Sequence, residues 1–245
     1  TKIGSMPLGT LMILPDGRKF RHARAASGTA MTAGYMYQCP AVPADTMLVK
    51  SLVLAATAAP VGATSVAFTT GGPTAVTTDQ YAEGYMIVPA STSQAGAGRM
   101  YKIIANNSAA SGSTTCTLSL DPSDGIVTAI PGGTTTIGVR ANEYNLLLVT
   151  TGDTALTGPV AGVAPVAVSA GFYCWVQRGG PAVTFVAGTV LAVGDPVVCS
   201  SAVSGAVAAI AATTITDAKG RLGRIGYGMT LGIADGFALV NLTLE

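Results

Sequence analysis

Charge is the scarcest ingredient of this 245-residue chain: Asp, Glu, Lys and Arg make up 10% of it, against roughly 25% in an ordinary soluble domain. Gly, Ala, Thr, Ser and Val take its place. A surface built from these residues costs little to desolvate, which suits a chain packed against neighbours. A freely diffusing monomer usually carries more charge for solubility. The same composition also fits a Thr-rich β protein with no partner. The net charge is +1, so no global field draws the chain to nucleic acid, and no nucleic-acid partner is expected.

Histidine is nearly absent. The single His22 is the only candidate for the usual neutral-pH general base. It lies among Arg18, Lys19, Arg21 and Arg24, where positive charge disfavours a further proton. No G-x-S-x-G elbow accompanies it. His22 therefore reads as an exposed strand residue, and the chain as a non-enzyme with no catalytic residues. The four cysteines, Cys39, Cys116, Cys174 and Cys199, form no CxxC pair, so metal-site spacing is missing. They read as small buried hydrophobes in a reducing compartment, with two disulfides still open. Asp121-Pro-Ser-Asp124-Gly125 lacks the alternating carboxylates of a calcium loop and reads as a turn. There is no GxxxxGK[ST], and Gly226-Tyr-Gly228-Met-Thr-Leu-Gly232 has one residue too many for a dinucleotide fingerprint. Tight backbone packing is the better reading of those glycines. No metal or cofactor is expected. Two sequons, at Asn106 and Asn241, are what chance supplies in a Thr/Ser-rich chain.

Long apolar runs are missing too. The charge-free stretches Ser51–Thr78 and Thr154–Gln177 contain Pro60, Gly62, Pro159, Gly162 and Pro165, and Pro196–Thr216 is Ala-rich and broken by Ser200, Ser201, Ser204 and Gly205. None supplies about 20 continuous, strongly apolar residues. The first residues lack a signal-peptide pattern. A soluble chain with no membrane partner is expected.

What remains is the pattern of an all-β protein with few or no helices, built from short-stranded barrel or sandwich modules. Thirteen prolines and 31 glycines punctuate the chain, and no apolar 3-4-7 spacing persists beyond two turns. In Thr115–Leu120, Cys116, Leu118 and Leu120 share a face. Near the end, Ala238, Val240, Leu242 and Leu244 do the same. Leu11–Leu14, Pro15-Asp16-Gly17 and Arg18–Arg24 read as strand, tight turn, strand. Tyr81–Tyr85, Gly96–Ile104 and Cys116–Leu120 read as turns and strands of a central region. The chain divides into an N-terminal arm and hairpin (1–50), a central β domain (51–155) and a small barrel-like C-terminal domain (156–245). Residues 20–37 align without gaps to 174–191, with Arg24 matching Arg178 and Ala33-Gly34 matching Ala187-Gly188. This suggests one strand-loop-strand unit used twice.

Charge is concentrated in one place. Arg18, Lys19, Arg21 and Arg24 are four of thirteen basic residues. As a strand they alternate faces, with Arg18, Phe20, His22 and Arg24 on one side. A two-sided basic strand suits an edge or arm pressed on an acidic partner; an ordinary solvated edge is the other reading.

The stretch Leu14-Pro-Asp-Gly-Arg-Lys-Phe-Arg-His-Ala-Arg and the pattern Tyr81-Ala-Glu-Gly…Gly98-Arg-Met-Tyr-Lys-Ile…Leu118-Ser-Leu-Asp-Pro122 resemble structural proteins of tailed phages. The final third carries Ala187-Gly188, Gly194-Asp195-Pro196-Val197, Gly205-Ala206-Val207, Ile225-Gly226 and Gly236-Phe-Ala-Leu-Val240-Asn-Leu242. This series is similar to that of small phage capsid decoration (cement) proteins. The resemblance implies a β-barrel or sandwich, made in the host cytoplasm, that trimerises on the outside of the virion. Its partners would be the major capsid protein and itself, and Arg18, Lys19, Arg21 and Arg24 are the candidate capsid contacts. The alternative is a tail, fibre or surface module recognising a host receptor or glycan. That alternative needs exposed aromatics in a loop pocket; Trp175, the only tryptophan, lies in an apolar run that points to the core.

Overall fold

The computed structural model describes residues 6–41, 52–54, 58–70, 74–89, 95–112, 114–133, 135–152, 156–188, 190–210 and 224–245. The fold is all-β: among the described residues there are sixteen strands and a single 3-10 turn at Pro122–Asp124. That turn is the Asp121–Gly125 segment, and the Asp121 carboxylate accepts the Ser123 N–H within it.

The strands run in chain order as β1 (Leu11–Ile13), β2 (Lys19–Arg24), β3 (Met36–Gln38), β4 (Leu52–Leu54), β5 (Ser65–Thr70), β6 (Tyr85–Ile87), β7 (Met100–Asn106) and β8 (Thr114–Leu120). They continue as β9 (Thr136–Arg140), β10 (Leu148–Val149), β11 (Val160–Val163), β12 (Tyr173–Val186), β13 (Pro196–Cys199), β14 (Val207–Ala209), β15 (Gly226–Gly228) and β16 (Gly236–Thr243). They form two compact units. Val42–Asn142 is one, and Lys2–Ala41 joins Glu143–Glu245 in the other. The three-part division read from the sequence gives way here, because β2 and β3 find their partners in β12, β11 and β10.

The central unit is a closed barrel in the order β4-β5-β8-β7-β6-β9, antiparallel throughout. Closure removes free strand edges. Alternation drives it: Cys116, Leu118 and Leu120 of β8 point inward, as expected, and meet Phe68, Tyr81, Met86, Tyr101 and Ile137 in one core. Asn106 is buried and bonds to backbone at Thr77, Tyr81 and Asn107, so this sequon asparagine is a structural brace.

In the other unit the fourteen-residue β12 is the spine. Its first half pairs with β2 and β11, around a core of Ala23, Met31, Tyr37, Leu147 and Val176. Its second half pairs with β16 and, in parallel, with β14. The path β12-β14-β13-β15-β16 returns to β12, making a five-strand ring. Ala238, Val240 and Leu242 fill it from β16, with Leu191, Val197 and Val207 opposite. β15 is glycine at both ends because the Asn241 carbonyl of β16 lies where a side chain at Gly226 would stand, and the Ala192 carbonyl where one at Gly228 would. The motif series in the final third therefore marks the turns and strands of this ring.

The expected repeat is not a repeat in space. Residues 25–35 are a loop with isolated bridges at Ala25 and Met31, whereas the aligned 179–186 continues as strand. The leading segments pair with each other instead, His22 opposite Trp175.

Among the described residues no helix is long and apolar enough to cross a membrane. Residues 211–216 of the third charge-free stretch, with Lys219 and Arg221, lie outside the described residues.

Candidate functional surface

The hairpin forms as the sequence requires. Gly17 takes a left-handed φ of +85°, and Leu14 N–H reaches the Arg18 carbonyl at 2.9 Å. Its second strand, however, is not an edge. β2 has β1 on one side and β12 on the other, and His22 and Arg24 also bond to Thr10, Tyr144 and Leu147. The expectation of a basic arm free to press on a partner is corrected accordingly.

The four basic side chains are largely occupied within the chain. Arg21 donates to Gly9 O at 2.7 Å and through Nε to Glu245 Oε1 at 2.7 Å; a second nitrogen meets the same oxygen. Hydrogen bonding to that carboxylate raises the Arg21 pKa above its ordinary value. Arg178 joins this cluster, 3.7 Å from Glu245 Oε2. Arg24 donates to Gly171 O at 3.0 Å and lies over the Tyr173 ring. Lys19 lays its stem against Gly179, where there is no side chain to displace it. Arg18 differs. It pairs with Asp16 at 2.7 Å, and both side chains remain substantially in solvent. The Arg18 N–H and then its guanidinium hold the Asp16 carboxyl below its ordinary pKa.

His22 is buried rather than exposed. It stacks on Tyr173 (ring centroids 5.5 Å, 12° between planes), tilts against Trp175 at 5.3 Å and sits 3.3 Å from Pro7 O through Nδ1. Burial follows from pairing: β12 presents two aromatic rings to the face that His22 shares. Trp175 in turn is half-buried, not core. With Tyr173 and a 66% exposed Phe172 it lines a hollow of about 510 Å³ closed on the far side by Pro165–Val168. Sequence reasoning placed Trp175 in the core because its neighbours are apolar. The local sequence carries no signal of this, because the exposure of Phe172 and Trp175 is set by which segments pack beside them.

The cysteines behave as small hydrophobes. All four are free; Cys39, Cys116 and Cys199 are buried, and Cys174 is partly so, 3.6 Å from Met31 Sδ. Burial pushes the thiols of Cys116 and Cys174 up to about 11 and Cys199 to about 12. Among the described residues no group of three or more His, Cys, Asp or Glu stands together in a way that could hold a metal ion.

Two apolar surfaces were not foreseen. The first is the outer face of β12 and β16. Val183 is 55% exposed and Phe237 51%. With Leu239, Pro181 and Val163 they line a cleft of about 520 Å³ that has Arg18 at its margin. Phe185 stacks on Tyr35 at 5.2 Å and meets Phe237 edge-on at 5.6 Å. Gly34, at φ +77°, lets the Phe237 ring lie where a Cβ would be only 2.6 Å away. The second surface is the loop end of the five-strand ring. Segments 190–195 and 228–236 interlock through Gly232 N–H to Leu191 O and Gly194 N–H to Gly228 O, both 2.8 Å. They present Val190, Val193, Leu231 and Ile233, the last two more than 70% exposed. Two acids at this end bond to backbone at the surface: Asp195 accepts from Ala192 N–H at 2.9 Å and Asp235 from Gly188 N–H at 3.1 Å.

No family model matches the chain, and no curated protein or solved structure is significantly similar to it.

Proposed function

We propose that the protein is a virion structural component that binds the outside of a phage capsid shell and stiffens it, working as a symmetric oligomer, a homotrimer by resemblance, rather than as an enzyme. The observation that carries this reading is the apolar loop end. Val190, Val193, Leu231 and Ile233 expose more than half of their surface each, on the order of 400 Å² together, the size of the largest apolar patch on an ordinary monomer, which is often a functional contact. The 10% charged fraction points the same way. So does the resemblance of the ring's turn glycines to those of capsid decoration proteins. Repetition over a symmetric lattice turns modest contacts per subunit into strong collective hold.

The test is cosedimentation of the purified chain with shells assembled from the major capsid protein encoded in the same genome. Saturable binding at a fixed ratio to capsid subunits is expected. A chain that stays in the supernatant at every ratio refutes the proposal.

A second reading is favoured by one observation, the Phe172–Tyr173–Trp175 hollow, whose exposed ring suits the face of a sugar. It makes the chain a receptor- or glycan-recognising surface module. Quenching or shift of Trp175 fluorescence on titration with oligosaccharides supports it, and an unresponsive Trp175 across a glycan panel removes it.

A further inference from the structure

The order of strands along the chain places one closed fold inside another. The ten-stranded sheet is interrupted between β3 and β10, and all six strands of the barrel lie in that interval. Each unit closes on itself at the interruption. In the host unit Gln38 of β3 stands opposite Leu148 of β10, so the chain leaves and re-enters on neighbouring antiparallel strands. In the barrel Leu52 of β4, its first strand, stands opposite Ile137 of β9, its last. The barrel thus occupies the place of a hairpin loop. Among the described residues every strand pairing and every core cluster falls within one unit. The buried barrel core uses residues from Ala59 to Val139, and the two host cores use only residues before Val42 and after Asn142.

We infer that the barrel is an inserted module that unfolds independently of its host and staples the β3–β10 connection while it is folded. Independence follows from the closure of each sheet and each core within its own unit, since cooperative unfolding propagates through shared burial and shared hydrogen bonds. The staple follows from chain entropy. With the barrel unfolded, about 109 residues of free chain separate Gln38 from Leu148; with Leu52 held against Ile137, about 23 do. Closure of a flexible loop becomes less probable as roughly the 3/2 power of its length, so this fivefold difference is worth about tenfold in the host's folding equilibrium. The coupling is reciprocal: a folded host favours a folded barrel by the same factor. A single cooperative fold would lose both cores together. The inference stands apart from the capsid reading and is untouched by its failure.

The cysteines supply the probes. Cys116 is buried in the barrel core, Cys39 and Cys199 are buried in the host, and Trp175 also lies in the host. The full chain is equilibrated across urea, pulsed with an alkylating reagent and read peptide by peptide by mass spectrometry, beside Trp175 fluorescence. Leu118→Ala, in the barrel core, is expected to lower the protection of Cys116 about thirtyfold or more. Cys39, Cys199 and the Trp175 transition should change by no more than about tenfold. Gly34→Ala, in the host, is expected to shift the host probes and to leave Cys116 within the same tenfold. Leu118→Asp buries a charge in the barrel and is expected to expose Cys116 without urea, while Trp175 still reports a cooperative host transition whose folding constant is about tenfold lower. Loss of that transition in Leu118→Asp overturns the inference. Equal shifts of all three thiols in Leu118→Ala or in Gly34→Ala overturn it too, and these two variants decide the question alone if Leu118→Asp aggregates.

Discussion

Replacing Gly34 by Ala separates two costs that the structure places at one residue. Gly34 and Gly188 share a backbone φ of +77°, so both pay the left-handed penalty, about 1–2 kcal/mol for an L side chain, reduced by the lower entropy of the unfolded Ala chain. At Gly188 nothing lies within 4 Å of the added methyl, and Gly188→Ala should cost about 1 kcal/mol. At Gly34 the methyl would stand 2.6 Å from Phe237 Cε1 and 3.6 Å from Val183 O. Pushing the ring aside adds roughly 1–3 kcal/mol, for a total of about 2–4 kcal/mol. Urea unfolding followed by Trp175 fluorescence is the assay. The only tryptophan lies in the same compact unit as Gly34, Gly188 and Phe237, so its signal reports that unit. The double variant Gly34→Ala with Phe237→Ala should recover the steric part, giving a favourable coupling of about 1 kcal/mol or more. Equal losses for Gly34→Ala and Gly188→Ala, with no coupling to Phe237, would refute the seating of the ring and with it the rigid wall of the cleft.

Other outcomes follow from the same structure. Leu118→Ala, fully buried in the barrel core, should cost about 2–5 kcal/mol in unfolding free energy. Arg21→Ala removes bonds to Gly9 O and Glu245 and should lower the melting temperature measurably, whereas Arg18→Ala, at a solvated pair, should leave it nearly unchanged. Stability should fall between about pH 9 and pH 12. The thiols of Cys116, Cys174 and Cys199 and the Tyr144 phenol are raised to about 11 or 12 by burial. Below pH 9 they are neutral in both states; above it the unfolded chain ionises first, so the loss grows with pH. In dithionitrobenzoate assays at pH 8 the native thiols should react far more slowly than in guanidinium, and fast stoichiometric reaction of all four would contradict their burial.

Local order was legible in the sequence where neighbours decide it. The Pro15-Asp16-Gly17 turn, the inward Cys116, Leu118 and Leu120, and the Ala238-Val240-Leu242 face all emerged, because alternation and turn chemistry are properties of adjacent residues. What escaped depends on distant partners. Arg21 meets a carboxylate 224 residues away, and His22 is buried by rings that β12 brings alongside. The N-terminal strands belong to the same sheet as the C-terminal ones for the same reason. The candidate surface was half legible. Scarcity of charge predicts an exterior with apolar side chains in it, but which of them face out, and that only Arg18 of the basic four borders the cleft, required the strand pairing.

The most direct test of the central claim is the thermal rupture of shells with and without this protein bound, followed by light scattering or calorimetry at low ionic strength. The account predicts that saturating the shells raises the rupture temperature by several degrees and protects them against low salt. Identical rupture of decorated and bare shells contradicts it.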